Sequence, residues 1–267
     1  AQFVNTGSAE QNAIMVASGL AMKGKKAFVY GIAPFITLRC LEQIRVESGM
    51  MRIPITIVGV GAGLGYEDSG PTHHLIEDIA IMRSIPGLRI DSITDHVMAA
   101  AVARSSCSFR HSNYVRLDRK PSARIYDDKQ DFSSGVGVIR EGSECCIATT
   151  GTMAETALEI CRELKKKRIN ARVIDAYTFP LNAPLLLKSL DGIRRLVTLE
   201  EHVLPGGFGS AVCEVLSDAH RHILTMRQGI RPEQGYCYQY GGREILRAYY
   251  DLDRKSLLKK VSSFFTA

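Results

Sequence analysis

The sequence has no tryptophan, and none of its seven cysteines forms a Cys-x-x-Cys pair. No Cys/His cluster has zinc-site spacing, which excludes the common structural zinc modules. The odd number and scattered positions of the cysteines favour reduced thiols and a cytoplasmic protein. No apolar run reaches about 18 residues, so a membrane-spanning helix is not expected. No basic segment precedes an apolar one at the start, so a signal peptide is not expected either.

Charge of one sign is also scarce. The net charge of +6 is spread along the chain, apart from the run Lys165-Lys166-Lys167-Arg168. This run closes a helix-like segment, where cations suit the helix C-terminus, and a nucleic-acid-binding patch is the weaker interpretation.

Apolar runs alternate with amphipathic stretches along most of the chain, which is typical of a parallel sheet covered by helices on both faces. In the first half this pattern predicts strands near 26–30, 54–60, 88–93 and 113–117, and helices over 9–22, 35–50, 75–84 and 95–106. In the second half it predicts strands near 145–150, 171–175, 195–199 and 222–226, and helices over 153–167, 209–216 and 243–250.

Residues between the two halves carry Pro, Gly, Ser and Asp without a long periodic pattern. We therefore predict two α/β domains, at 1–122 and 144–267, each a mostly parallel sheet flanked by helices. A linker at 123–143, with room for a short hairpin, joins them. Because the chain starts with Ala1 and its first residues resemble a strand end, we expect an N-terminal segment to precede them.

The glycine-rich segment Gly59 to Gly65 follows a strand, which is where a nucleotide-binding loop would lie. A dinucleotide fingerprint needs its third glycine where Leu64 or Tyr66 stands, and the later acidic residue is missing. The segment therefore indicates a flexible strand end at the carboxyl edge of the sheet, where open α/β sheets bind ligands.

A set of short motifs, in order along the chain, resembles transketolases and deoxyxylulose-phosphate synthases. Gly7-Ser8-Ala9-Glu10-Gln11 resembles their Gly-Ile-Ala-Glu-Gln motif, and Gly70-Pro71-Thr72-His73 resembles their Gly-Pro-Thr-His segment. Further matches are Phe35 to Arg45, Tyr114 to Arg119, Glu200-Glu201-His202, Gly206 to Ala211 and Tyr240 to Glu244. The resemblance covers essentially the whole chain and implies a transketolase pyrimidine-binding domain followed by a transketolase C-terminal domain.

The resemblance also implies a thiamine-diphosphate-dependent, transketolase-like transferase. Such an enzyme moves a two-carbon ketol unit, or a related acyl-anion unit, to an aldehyde acceptor. In that family the glutamate that matches Glu10 hydrogen-bonds ring nitrogen N1′ of the aminopyrimidine, which lets the ring act as a base. Phe35 matches the aromatic residue that stacks on this ring, and Arg39 lies on the same cofactor-binding segment. A register error of one position would move the stacking role to Ile36.

His73 matches the family histidine that contacts substrate oxygen atoms, where an imidazole can donate or shuttle a proton. Arg119 aligns with the arginine that binds the sugar phosphate, since a guanidinium suits bidentate phosphate recognition, although Arg116 is close enough to be confused with it. Ser69 stands at a substrate-binding position where the family has an aspartate, and Gly61 stands about where it has a histidine.

These departures leave the donor open between a phosphoketose, an unusual sugar and a small α-keto acid. His74 replaces the usual glutamine, and its role is open, as is that of His202. Each site residue also has a structural alternative: Glu10 as a helix-start carboxylate, Phe35 as a core residue, His73 as a cap and Arg119 as a solvated strand end.

A full transketolase also has an N-terminal domain with a Gly-Asp-Gly…Asn signature for the metal and diphosphate, and no such signature occurs in this chain. The resemblance therefore implies a partner subunit that supplies the Mg²⁺ or Ca²⁺ ligands, and we predict no metal ligand here. We expect a heterotetramer of two copies of each chain. The alternatives are a β subunit of an α-keto-acid dehydrogenase E1 and a non-catalytic scaffold subunit.

Overall fold

The computed structural model describes residues 2–267 and contains two five-stranded sheets. The first half of the chain forms α1 (Glu10–Met22), β1 (Ala27–Ile32), α2 (Ala33–Ile36), α3 (Leu41–Ile44), a π-helical turn (Arg45–Met50), β2 (Ile55–Val60), α4 (Asp78–Met82), β3 (Arg89–Ser92), α5 (His96–Ser106) and β4 (Asn113–Leu117). The second half forms β5 (Val136–Arg140), β6 (Cys145–Thr149), α6 (Met153–Lys166), β7 (Ala171–Ala176), β8 (Thr178–Phe179), α7 (Ala183–Ser189), β9 (Arg195–Val203), α8 (Phe208–Asp218), β10 (Leu224–Ile230), a short 3-10 turn (Pro232–Gln234), α9 (Arg243–Tyr249) and α10 (Arg254–Thr266).

Both sheets are mostly parallel, which confirms the predicted fold class. The first has the strand order β1-β2-β4-β3-β8, and only the β3–β8 pair is antiparallel. The second has the order β10-β9-β6-β7-β5, and only the β5–β7 pair is antiparallel. Central strands such as β6, in which all five residues are buried, are covered on both faces, as parallel sheets require.

Helix-forming segments pack on these sheets through one apolar face. In α6 the buried residues Ala157, Ile160, Cys161 and Leu164 recur at helical spacing and contact the second sheet. The predicted N-cap of α5 is also present, because Asp95 accepts a hydrogen bond from the Met98 amide at 2.9 Å. No helix among residues 2–267 combines the length and the apolar character needed to cross a membrane.

The single helix predicted over 35–50 is wrong in detail, because the structure divides this stretch into α2, α3 and a π-helical turn. The Thr37 hydroxyl donates to the Ala33 carbonyl at 2.6 Å, a local bond that competes with a regular helix. Four elements were not predicted by the pattern: β5, β8, α7 and α10.

The stretch predicted as a linker contains β5, which joins the second sheet. Its earlier part is held by side chains from both halves. Asp95 accepts hydrogen bonds from the amides of Ile125 and Tyr126, and the Tyr126 hydroxyl donates to Asp175 at 2.8 Å. The exact domain boundaries stay a prediction.

The register of the first sheet brings three loops to one edge. Ile32 pairs with Val60, and Val60 pairs with Leu117, so β1, β2 and β4 end side by side. The loops that follow carry Phe35, the glycine-rich segment with His73, and Arg119. Side chains more than 80 residues apart in sequence are therefore neighbours at this edge.

Candidate functional site

Glu10 is the first residue of α1 and faces the loop after β1. Its Oε2 lies 2.7 Å from Nη1 of Arg39, and its side chain is 19% exposed. Gln11 reinforces this contact, because its amide donates to the Arg39 carbonyl at 3.3 Å. Oε1 of Glu10 accepts no hydrogen bond from residues 2–267 and is therefore available to a ligand.

Phe35 lies in α2, directly after β1, and is partly exposed. The guanidinium carbon of Arg39 lies 4.4 Å from the centroid of its ring, a cation–π distance. Arg39 thus contacts both Glu10 and Phe35 and fixes the position of the carboxylate relative to the aromatic ring. Cys40 is buried beside them, and burial, followed by the charge of Glu10, raises the pKa of its thiol to about 11. It is therefore a protonated thiol and not a nucleophile.

His73 packs against the same aromatic ring from the glycine-rich loop. The two ring centroids are 5.0 Å apart, with an interplanar angle of 73°. Nδ1 of His73 lies 3.1 Å from the Thr72 hydroxyl, which leaves Nε2 free to contact a ligand. The structure thus brings Glu10, Arg39, Phe35 and His73 together in one continuous cluster.

Arg119 joins this cluster through Tyr66, a residue that sequence analysis did not single out. The guanidinium carbon of Arg119 lies 5.0 Å from the Tyr66 ring, whose centroid is 5.9 Å from that of His73. Arg119 also lies 3.8 Å from Asp68, and both side chains are exposed. The one sequence signal for Tyr66 is its place directly after the glycine-rich segment.

Ser69 is partly buried in the turn before His73, and its amide donates to the Tyr66 carbonyl at 3.1 Å. Gly61 contributes no side chain to the site. A Cβ atom there would lie 2.1 Å from the Tyr66 ring, so that ring occupies the space beside the glycine.

Arg116, the neighbour of Arg119, is in a different environment. It is 6% exposed, and its Nε donates to Asp78 at 2.7 Å, with the Tyr114 hydroxyl donating to the same oxygen. A second arginine from α9, Arg243, lies between Glu201 and Asp118 at 2.5 Å from each. These buried pairs join the two halves of the molecule and are not directed at the open edge.

The two histidines without an assigned role are both buried. His202 accepts a hydrogen bond on Nε2 from the Ala80 amide at 3.3 Å, and burial lowers its pKa to about 4. His74 is 4% exposed, its Nε2 has no partner among the described residues, and burial lowers its pKa. Among residues 2–267, no group of three or more His, Cys, Asp or Glu side chains is close enough to hold a metal ion.

Two family models match this chain. The transketolase pyrimidine-binding domain matches residues 1–123, and the transketolase C-terminal domain matches residues 135–255. One of the two subunits of the apulose-4-phosphate transketolase of Phocaeicola vulgatus is 32% identical over 268 residues, which cover 99% of this chain and 84% of that protein. A 6-deoxy-6-sulfo-D-fructose transketolase subunit of a Clostridium species is 30% identical, and the match covers 97% of this chain and 79% of that protein.

Among solved structures, a split-gene transketolase described as an inactive β4 tetramer superposes with a TM-score of 0.85. It is 31% identical, and the match covers 99% of this chain and 84% of that one. The sequence matches, the shared fold and the order of the motifs all agree, and the chain belongs to the transketolase family, as the pyrimidine-binding and C-terminal part of a split transketolase-like enzyme.

Proposed function

We propose that this chain is one subunit of a two-chain, thiamine-diphosphate-dependent enzyme that transfers a two-carbon ketol unit, or a related acyl-anion unit, to an aldehyde acceptor. The observation that carries the proposal is the cluster of Glu10, Phe35 and His73 at the carboxyl edge of the first sheet. A carboxylate, an aromatic ring and an imidazole are the groups that an aminopyrimidine and a carbonyl substrate need in one place.

The residues present fit the cofactor. When bound, thiamine diphosphate supplies a thiazolium carbon that can attack the carbonyl carbon of a ketose. Glu10, with its free Oε1, would hold a hydrogen bond to ring nitrogen N1′ and keep a proton shared at that atom. Phe35 would provide the aromatic contact for the pyrimidine. Arg39 is a cofactor-binding residue in this proposal because it sets the distance between Glu10 and Phe35.

The substrate would lie between His73 and Arg119. Nε2 of His73 is free to donate a hydrogen bond to a substrate oxygen and to exchange a proton with it, while Thr72 holds Nδ1. The exposed guanidinium of Arg119 suits an anionic group at the far end of the donor. Ser69 presents a hydroxyl in place of a carboxylate and would contact a substrate hydroxyl.

The partner in this proposal is an N-terminal transketolase-like subunit that binds the diphosphate together with Mg²⁺ or Ca²⁺. The Phocaeicola relative is itself named as one subunit of a transketolase, which supports a two-chain enzyme, and we propose an assembly of two copies of each chain. We also propose a cytoplasmic location, which the seven free cysteines support.

The test compares the isolated chain with a mixture of the two subunits in thiamine diphosphate and Mg²⁺. We expect the isolated chain to bind the cofactor poorly, by calorimetry, and to transfer nothing, whereas the mixture is active. In the mixture, Glu10→Gln should lower activity by about 10²- to 10⁴-fold, the range of general acid–base contributions. Glu233→Gln, the same change at an exposed glutamate of the 3-10 turn, serves as the control.

Gel filtration must show that each variant still forms the complex. An isolated chain as active as the mixture would refute the two-chain proposal. An active complex that tolerates Glu10→Gln would instead identify this chain as a scaffold subunit without a catalytic role.

A further inference from the structure

Tyr66 lies between the two residues that would bind opposite ends of the substrate, and none of the roles proposed above involves it. Its ring centroid is 5.9 Å from that of His73, and the guanidinium carbon of Arg119 is 5.0 Å from the ring. Any molecule that contacts both His73 and Arg119 must therefore pass close to the phenol ring.

The backbone around Tyr66 fixes this position. Gly61 has a φ of +93°, and a Cβ atom there would lie 2.1 Å from Cδ2 and Cε2 of the Tyr66 ring. The glycine is thus required by both its backbone conformation and the ring packed against it. On the other side, the Tyr66 carbonyl accepts the hydrogen bond from the Ser69 amide at 3.1 Å, so the turn before His73 also holds Tyr66.

The hydroxyl of Tyr66 is left for a ligand. It forms no hydrogen bond with any other residue in the part of the chain that the structure describes, and the side chain is partly exposed. Partial burial raises the pKa of Tyr66, so the hydroxyl is protonated at neutral pH and can both donate and accept. A phenol of this kind offers an apolar face and a polar tip to one ligand.

We propose that Tyr66 is a specificity-determining residue. Its ring would form the wall of the substrate site between His73 and Arg119, and its hydroxyl would hydrogen-bond an oxygen in the middle of the donor. The substrate class that fits is a hydroxylated carbon chain that ends in an anionic group. This inference rests on the proposed function and adds the residue that reads the middle of the chain.

The experiment uses the two-subunit complex and two matched donors, fructose 6-phosphate and fructose, with one aldehyde acceptor. Tyr66→Phe removes only the hydroxyl, and we expect KM for both donors to rise by about 5- to 15-fold, the range of one lost hydrogen bond, with kcat changed less than about 2-fold. Tyr66→Leu also removes the ring that Arg119 contacts. It should narrow the preference for the phosphorylated over the unphosphorylated donor.

Tyr238→Phe is the control, because this tyrosine is 75% exposed and lies in the second half, away from the cluster. An active wild-type complex whose Tyr66→Phe variant has unchanged KM for both donors would overturn this inference alone. Equal losses in Tyr66→Phe and Tyr238→Phe would overturn it as well. A wild-type complex that turns over neither donor would count against the proposed function, and this inference would fall with it.

Discussion

The open cluster and the buried junction between the two halves use the same kinds of residue in opposite ways. In the open cluster, Arg39 is 48% exposed where it meets Glu10, and the Arg119–Asp68 pair is exposed on both sides. In the junction, Arg116 is 6% exposed and its partner Asp78 is fully buried. Arginine, carboxylate and histidine side chains thus occur twice, once accessible to solvent and once enclosed.

The junction is built so that its charges satisfy one another. Although burial opposes its ionisation, Arg243 and then Arg247 hold the pKa of Glu201 well below its usual range. Glu201 also accepts the Leu64 amide at 2.9 Å, which ties the second half to the glycine-rich loop. Antiparallel hydrogen bonds between Gly63 and Leu75 carry this constraint toward His73. The buried charges therefore position the loop, and the exposed charges remain available to ligands.

The largest expected difference is in stability when one arginine of each region loses its charge. Arg116→Met leaves Asp78 buried without its cation, which should lower the free energy of unfolding by about 3–5 kcal/mol. Arg39→Met breaks an accessible pair and should cost less than about 1 kcal/mol. Urea denaturation of both variants of the isolated chain measures the contrast.

A cofactor titration of the assembled complex completes this comparison. Arg39→Met should weaken thiamine diphosphate binding although the chain is nearly as stable as the wild type, because Arg39 orders Glu10 and Phe35. Similar losses of stability in the two variants would contradict the division between a structural junction and an accessible site.

A smaller effect concerns pH and His202. Its ring accepts the Ala80 amide, so the folded state needs the neutral form, and burial lowers the pKa to about 4 from the usual 6.5. As pH falls below about 6.5, the unfolded chain takes up a proton that the folded chain does not bind. Stability should therefore decline between about pH 6.5 and 4, by about 2 kcal/mol at pH 5 from this group alone.

The contribution of His202 is isolated by comparison with His202→Gln, which keeps an acceptor for the Ala80 amide but does not titrate. Asp78 and Glu200, which lie 3.9 Å and 3.7 Å from the imidazole, and the nearby Arg116 remain in both proteins. Thermal unfolding at pH 7 and pH 5 should show a smaller loss in the variant. Parallel losses in the two proteins would show that His202 is protonated in the folded state.

Much of the fold could be predicted because parallel strands between helices leave a strong periodic pattern, and β2, β4, β6 and β7 lie where that pattern indicated. The strand β8 could not be predicted, since two residues carry no period and its pairing depends on Ile90, far away in sequence. The helix α10 was missed although its N-cap residue, Asp253, accepts hydrogen bonds from two backbone amides at 3.0 Å.

The site was predicted in the same uneven way. Motifs pointed to Glu10, Phe35, His73 and Arg119, and the structure brings these four together, while their chemical roles stay predictions. Tyr66 escaped because one aromatic residue after a glycine-rich segment has neither a period nor a motif, and its position depends on packing against Gly61.

The smallest expected effect tests the outermost exposed pair. Asp68→Asn removes a carboxylate 3.8 Å from Arg119, and stability should change by less than about 0.5 kcal/mol because both groups are solvated. Arg119 would lose its competing anion, so KM for fructose 6-phosphate should fall by about two- to threefold at low ionic strength. KM for fructose should stay constant, and the difference should fade as salt is added. A rise in KM for both donors would mean that Asp68, one position before Ser69, itself binds a donor hydroxyl and that its pairing with Arg119 is secondary.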